Sequence, residues 1–185
     1  MKIALFPRLG KSLSQIKADY YFLRETKPSL RAIVATFIFE PGFRALLITR
    51  LQQYISDSGH HRLALLICNL NVQITGAEIC VGAQIGAPCI IRHPVGIVIG
   101  GGVTIGNHCI LLQGVTIGQS HVKNSSKNKY PSLGDNVTVG VKASILGDVF
   151  VASGTSIGAH AVLLNSTIEN GVYVGIPATL IRDAK

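Results

Sequence analysis

Residues 79–118 read ICVGAQIGAPCIIRHPVGIVIGGGVTIGNHCILLQGVTIG, and their spacing decides the fold. Taking every sixth residue from Ile79 gives Ile85, Ile91, Ile97, Val103, Cys109 and Val115. A second register, two positions on, gives Val81, Ala87, His93, Ile99, Ile105, Leu111 and Ile117. Glycine often follows that register, at Gly82, Gly100, Gly106 and Gly118, where a tight corner suits a residue without a Cβ. Residues two apart on a strand face the same side, so the paired registers mark one buried face per repeat. A six-residue unit cannot bury its own core, and successive units must stack into a solenoid. A β-sandwich of alternating strands has no reason to hold one period over so many units.

The same double register resumes at Leu133, Val139, Ile145, Val151, Ile157 and Leu163, with Val137, Ala143, Val149, Thr155 and Ala161. Leu133 lies sixteen positions after Ile117, which is not a multiple of six, so the repeat is interrupted. The polar stretch from about Gln119 to Ser132, with Lys123, Lys127, Lys129 and Tyr130, is expected to project from the coil, a good place for a site. The β-helix is predicted from about Thr75 to Val174.

Residues 1–71 have a different, helical texture, and the β-helical domain is assigned to 72–185. One helix is expected from Ser12 to about Glu25, and another from Ser29, just after Pro28. Pro41-Gly42 breaks that run, after which Phe43, Leu46, Leu47, Leu51 and Tyr54 recur at helical spacing. Ser58-Gly59 closes this helix, and a last short one is expected from His60 to Asn69.

Hydrophobic residues make up 48% of the chain and charged ones 14%, which argues against disorder. Seventeen Lys and Arg against nine Asp and Glu give +8, suited to a phosphorylated cofactor or another polyanion. No long basic block and no nucleic-acid signature accompanies that charge, so a nucleic-acid partner is not expected. Cys68, Cys80, Cys89 and Cys109 sit among apolar neighbours and read as free buried thiols of a reducing compartment. Pro7 and Arg8 interrupt the first ten residues, which do not form a signal peptide, and no apolar run reaches membrane-spanning length. A cytoplasmic location is expected, with a basic amphipathic N-terminal segment able to touch a membrane surface.

The run from His93 to Gly118 resembles the serine acetyltransferase family: a His before Gly96-Ile97-Val98, then Leu112-Gln113-Gly114-Val115-Thr116-Ile117-Gly118. The resemblance continues at Gly140–Gly147 and Gly175-Ile176-Pro177-Ala178. Upstream it includes Gly42-Phe43-Arg44-Ala45-Leu46 and Arg50, so that it covers roughly residues 27–182. It implies a mainly β fold, a left-handed parallel β-helix of hexapeptide repeats behind a short α-helical N-terminal segment. It further implies acetyl-CoA-dependent O-acetylation in a homotrimer whose active sites lie between subunits. The N-terminal part is shorter than is usual in the family, so a trimer is expected rather than a hexamer. Acetyltransferases of exopolysaccharide and colanic-acid clusters are similar in this respect.

Acetyl transfer to a hydroxyl needs a base at the alcohol, and imidazole, which titrates near neutrality, suits that task. His93 matches the family's catalytic His and occupies a register otherwise filled by apolar residues. A carboxylate orients such a base; the family's Asp, fifteen residues upstream, is Glu78 here. An eighteen-residue turn would set Gly96, not His93, beside Glu78. By resemblance the CoA site follows the C-terminal coils, with Gly118, Gly175 and Pro177 giving the pantetheine room and Lys129, Lys142 and Arg182 neutralising phosphates. His60 and His61 precede an apolar helix, His108 and His160 fall at exposed corners, and His121 lies in the insertion. The histidine spacings do not match a β-helical zinc site, and no metal is expected.

The acceptor is where the chain departs from the family. The Asp that precedes the catalytic His is Arg92, the Asp of an upstream Asp-Pro pair is Lys27, and the Arg-His pair is Lys129-Tyr130. Two cations at the positions that hold the serine ammonium favour a saccharide hydroxyl, with Tyr130 available to a sugar ring. A genuine serine acetyltransferase and a non-catalytic β-helical scaffold are the alternatives.

Overall fold

The computed structural model describes residues 5–120 and 129–183. Four helices come first: α1 (Leu5–Arg24), α2 (Leu30–Phe39), α3 (Pro41–Asp57) and α4 (His61–Thr75). Ser29 caps α2 by accepting the Ala32 amide at 3.2 Å, and Pro41 opens α3 where no intrahelical amide is required. α4 does not stop near Asn69. It runs on to Thr75, past the assigned boundary at residue 72, and ends at Gly76 in the left-handed conformation. Asn71 and Thr75 fall beyond the expected end of this helix, Thr75 at the expected start of the β-helix. Asn71 is instead buried against α3, its Nδ2 donating to Ala45 O at 3.1 Å and to Thr49 Oγ1 at 3.2 Å, while Thr75 Oγ1 donates to Asn71 O at 2.8 Å.

The chain then winds into short strands, three to a coil. The first coil holds β1 (Glu78–Ile79), β2 (Gln84–Ile85) and β3 (Cys89–Ile91). The second holds β4 (Val98–Ile99), β5 (Thr104–Ile105) and β6 (Cys109–Leu111), and the third β7 (Thr116–Gly118), β8 (Ser132–Leu133) and β9 (Thr138–Val139). The fourth holds β10 (Ser144–Leu146), β11 (Phe150–Val151) and β12 (Ser156–Ile157), before β13 (Val162–Leu163), β14 (Gly171–Val174) and β15 (Thr179–Asp183). Like strands stack in parallel as three faces: β1-β4-β7-β10-β13, β2-β5-β8-β11, and β3-β6-β9-β12-β14. β15 turns back antiparallel on β14 and closes the end of the third face.

The interior is a column of apolar pairs two residues apart. It begins with Ala77/Ile79, Ala83/Ile85 and Cys89/Ile91 and continues with Ile97/Ile99, Val103/Ile105, Cys109/Leu111 and Val115/Ile117. The register therefore slips by two between Ile91 and Ile97. Val81, Ala87 and His93, expected to line the interior, stand at corners, and His93 is exposed. The first coil is consequently twenty residues long, with Glu78 paired to Val98 and not to Gly96. Val98 pairs with Thr116 after eighteen residues, and Thr116 with Ser144 after twenty-eight. The insertion thus adds ten residues to the third coil; most of it, with His121, Lys123 and Lys127, lies outside the described residues. All four cysteines are free, and burial pushes their thiols up, Cys89 the most deeply enclosed.

The first coil has no coil above it to take its carbonyls, and side chains of the helices supply the missing donors. Gln52 donates to Ile79 O at 2.9 Å, Gln53 to Ala83 O at 3.0 Å, and Arg50 to Ile85 O and, at 2.6 Å, to Gly86 O. α3 meets this coil closely at Gly42, where a Cβ would stand 1.8 Å from Ile91 O and 3.2 Å from Arg92 O. Gly42→Ala should therefore cost about 1–3 kcal/mol, as overpacking does, read as a lowered urea midpoint with an unchanged slope. Wild-type stability in that variant would mean α3 can lift away freely.

Candidate active site

Three edges join the three faces, and each functional side chain has a place on one of them. The edge that leads from the β3 face to the β4 face carries the two-residue slip of the first coil. Arg92, His93, Pro94, Val95 and Gly96 form it there, with Gly96 N–H donating to Gly76 O at 2.9 Å. Arg92 and His93 are exposed while Pro94 is buried, so the corner is anchored by the proline and offers its two basic side chains outward. The same edge carries Gln113 and Gly114 in the second coil, Lys142 in the third, His160 in the fourth and Gly175-Ile176-Pro177 in the last. Lys142 and His160 adopt the left-handed conformation at these corners, with φ of 54° and 59°.

Glu78 opens β1 on the far side of this corner. It is exposed, and among the described residues its Oε1 receives only a long 3.9 Å contact from the Cys80 thiol. His93 and Glu78 form no hydrogen bond with each other among the described residues. In register Glu78 faces Val98, five residues beyond His93, so the carboxylate meets the imidazole only if one side chain turns around the corner.

Gly118, Lys129 and Tyr130 belong to the next edge, between the β7 and β8 faces. Nothing lies within 4 Å of the place a Gly118 Cβ would take. Lys129 is paired with Asp148, which neutralises much of its charge. The Tyr130 ring packs against the glycine triplet of the second coil: a Cβ would fall 2.2 Å from it at Gly102 and 2.9 Å from it at Gly100. That packing makes Tyr130 the anchor of the insertion's returning strand. Arg182 is exposed on β15 opposite Val172, and Lys27 is exposed in the connection between α1 and α2.

The structure thus divides most of the sequence-predicted set between two edges and leaves Glu78 on β1, Arg182 on β15 and Lys27 between α1 and α2 outside both. It gathers His93, Lys142, Gly175 and Pro177 on one, and Gly118, Lys129 and Tyr130 on another. It also adds a residue that sequence reasoning left without a role. Gln113 lies on the His93 edge one coil along, and its Oε1 is buried without a hydrogen-bond donor among the described residues. Its signal was its place in the Leu-Gln-Gly-Val-Thr run. No group of three or more His, Cys, Asp or Glu side chains gathers among the described residues.

No family model matches the chain. Two curated relatives are named serine acetyltransferase. The one from Synechococcus elongatus is 33% identical over 90% of this chain and 67% of its own length. That from Staphylococcus xylosus is 32% identical over 93% and 79%. The chain belongs to the serine acetyltransferase family. It is an O-acetyltransferase that uses acetyl-CoA. Among solved structures, the Neisseria gonorrhoeae serine acetyltransferase superposes with a TM-score of 0.85 at 27% identity, over 95% of this chain and 68% of that one. The soybean serine acetyltransferase complexed with serine gives 0.84 at 27%, over 93% and 70%. The family fold is the left-handed hexapeptide β-helix behind a helical segment.

Proposed function

We propose that this acetyltransferase modifies a saccharide hydroxyl, with His93 as general base and Glu78 as the carboxylate that orients it. The observation that carries the acceptor is Arg92, exposed beside His93 at the place where the family's ammonium-binding Asp would stand. With Lys27, also exposed, it would set two cations against the ammonium of serine, a juxtaposition that costs on the order of several kcal/mol when desolvated. A neutral or acidic sugar meets no such penalty. The bound thioester supplies the acyl group. His93 takes the proton of the acceptor hydroxyl and holds it for the departing thiolate. Lys142 and Arg182, exposed and without an ion-pair partner among the described residues, suit the cofactor's phosphates, while the open flank of Gly118 leaves room for the pantetheine. Lys129 is the poorer phosphate ligand because of Asp148. The donor makes this a reaction of the cytoplasmic side.

An acceptor screen with acetyl-CoA, followed by release of free thiol, tests the reading. Saccharides or oligosaccharides are expected to be acetylated and L-serine is expected to turn over poorly. Turnover with L-serine at the level of an ordinary metabolic enzyme would overturn the saccharide assignment. The names of the relatives favour that second reading, serine as the acceptor, which would place the reaction in cysteine biosynthesis. Absence of thiol release with every acceptor tried would favour the non-catalytic scaffold.

The same reading makes the working unit a homotrimer. His93 and the insertion stand on different edges of one prism, so a site that uses both draws them from neighbouring copies. α4 offers the contact: Leu63, Leu66, Leu70 and Ile74 recur at i, i+3, i+7 and i+11 as a narrow exposed seam, near exposed Val95 and Val98. Light scattering is expected to return three times the chain mass, and an active monomer would contradict this.

A further inference from the structure

Helix α2 carries an apolar face that no contact among the described residues covers. At about 100° per residue, Leu30, Val34, Ile38 and Phe39 fall within one half of the helix together with Arg31 and Ala35. They are 79, 49, 54 and 77% exposed, while Thr36 on the opposite side is buried. Soluble surfaces seldom leave such a contiguous patch without a use. Its charge setting is one-sided. α2 contains no acidic residue, Arg31 lies within the exposed half, and exposed Lys27 precedes it. Arg44 donates to Phe37 O at 2.9 Å and to Ile38 O at 2.7 Å, bringing a further cation to the other end. Of the nearby acids, Glu40 is paired with Arg24 at 2.9 Å, leaving Glu25 against these three cations.

This face differs from the α4 seam. A broad apolar arc with a cation in its middle packs poorly against its own copy, since two α2 helices in symmetric contact would bury the Arg31 guanidinium against a face that holds no acidic residue. The same arc suits a plane of lipid that is apolar beneath and anionic at its surface. No helix among the described residues is long and apolar enough to cross a membrane, and the ten residues of α2 fit a helix lying in the interface. The chain also ties this helix to the candidate site. Three residues after Phe39, Gly42 rests on the backbone of Ile91 and Arg92, next to His93.

We propose that the exposed face of α2 is a docking surface for an anionic lipid bilayer, which holds the His93 edge close to the membrane. The docking does not depend on which acceptor is acetylated.

Co-sedimentation of the full chain with vesicles tests it, using phosphatidylcholine alone and phosphatidylcholine mixed with phosphatidylglycerol. The protein is expected to sediment with the mixed vesicles at low salt, less as salt rises, and weakly with phosphatidylcholine alone. Combining Val34→Ser, Ile38→Ser and Phe39→Ser should weaken binding roughly tenfold or more. Arg31→Glu, which keeps the apolar face, should weaken it by about fivefold or more. Both variants should keep wild-type thermal unfolding and light-scattering mass, since the substituted side chains are exposed. Absence of sedimentation with mixed vesicles, or unchanged sedimentation of both variants, overturns the proposal. A fall in assembly mass in the triple variant also overturns it, by assigning the face to contacts between copies.

Discussion

Replacing His93 with alanine should lower acetyl transfer by roughly two to four orders of magnitude and leave acetyl-CoA binding near its wild-type value. The size follows from what the residue would do. A hydroxyl attacks a thioester poorly until something removes its proton, and a positioned imidazole is worth about that factor. The small effect on cofactor affinity follows from geometry. His93 stands at the first coil of its edge, whereas Lys142 and the Gly175–Pro177 corner lie on later coils of the same edge and Gly118 on the neighbouring one. Structural damage would not mimic the effect, because the side chain is exposed and bonds to no described residue. Turnover with a working acceptor, and cofactor affinity by calorimetry, are the two measurements. Near-wild-type turnover would remove His93 from the mechanism; a large loss of acetyl-CoA affinity would make it a binding residue.

The repeats were legible because each interior position alternates with an outward one, a pattern that only a stacked coil repays. The slip in the first coil was not legible, for a specific reason. The interior pair moves from Cys89/Ile91 to Ile97/Ile99, and Ile91 and Ile97 are six apart, so the period seems unbroken across an insertion of two residues. Val81, apolar at a corner, completes the disguise. The division of the site between edges depends on coil lengths of twenty, eighteen and twenty-eight residues, and strand register reveals these while composition does not. The end of α4 was hidden because Asn71 and Thr75 are polar; Asn71 finds its partners on α3, and Thr75 donates back to Asn71 within α4. His93 was legible as a candidate through resemblance and through its place in a register otherwise apolar; its exposure at the slipped corner of the first coil is what the structure adds.

Arg50 presents the least legible part of the fold and the largest expected loss of stability. It lies on α3 within a helical pattern, and no local signal distinguishes it from a solvated arginine. In the structure it is fully buried, donating through Nε to Asp19 Oδ2 at 3.0 Å and through Nη2 to Asp19 Oδ1 at 3.2 Å. It also donates to the carbonyls of Ile85 and Gly86, while the Cys89 amide donates to Asp19 Oδ1 at 2.9 Å. One ion pair therefore joins α1, α3 and the first coil. Replacing Arg50 with methionine keeps most of the bulk but leaves Asp19 and two carbonyls without their partner. Breaking a buried pair from one side typically costs about 3–5 kcal/mol. Burial already pushes the Asp19 carboxyl above its usual range, against the pull of Arg50 and the Cys89 amide. Without Arg50 that rise should be greater, and a folded state that takes up a proton more readily than the unfolded one gains stability as pH falls through the raised value. Urea unfolding of Arg50→Met should show the largest deficit near neutral pH and a smaller one on acidification toward the ordinary carboxylate range. A deficit that stays constant across that window would mean Asp19 finds another cation or water, and that Arg50 acts by packing and carbonyl capping alone.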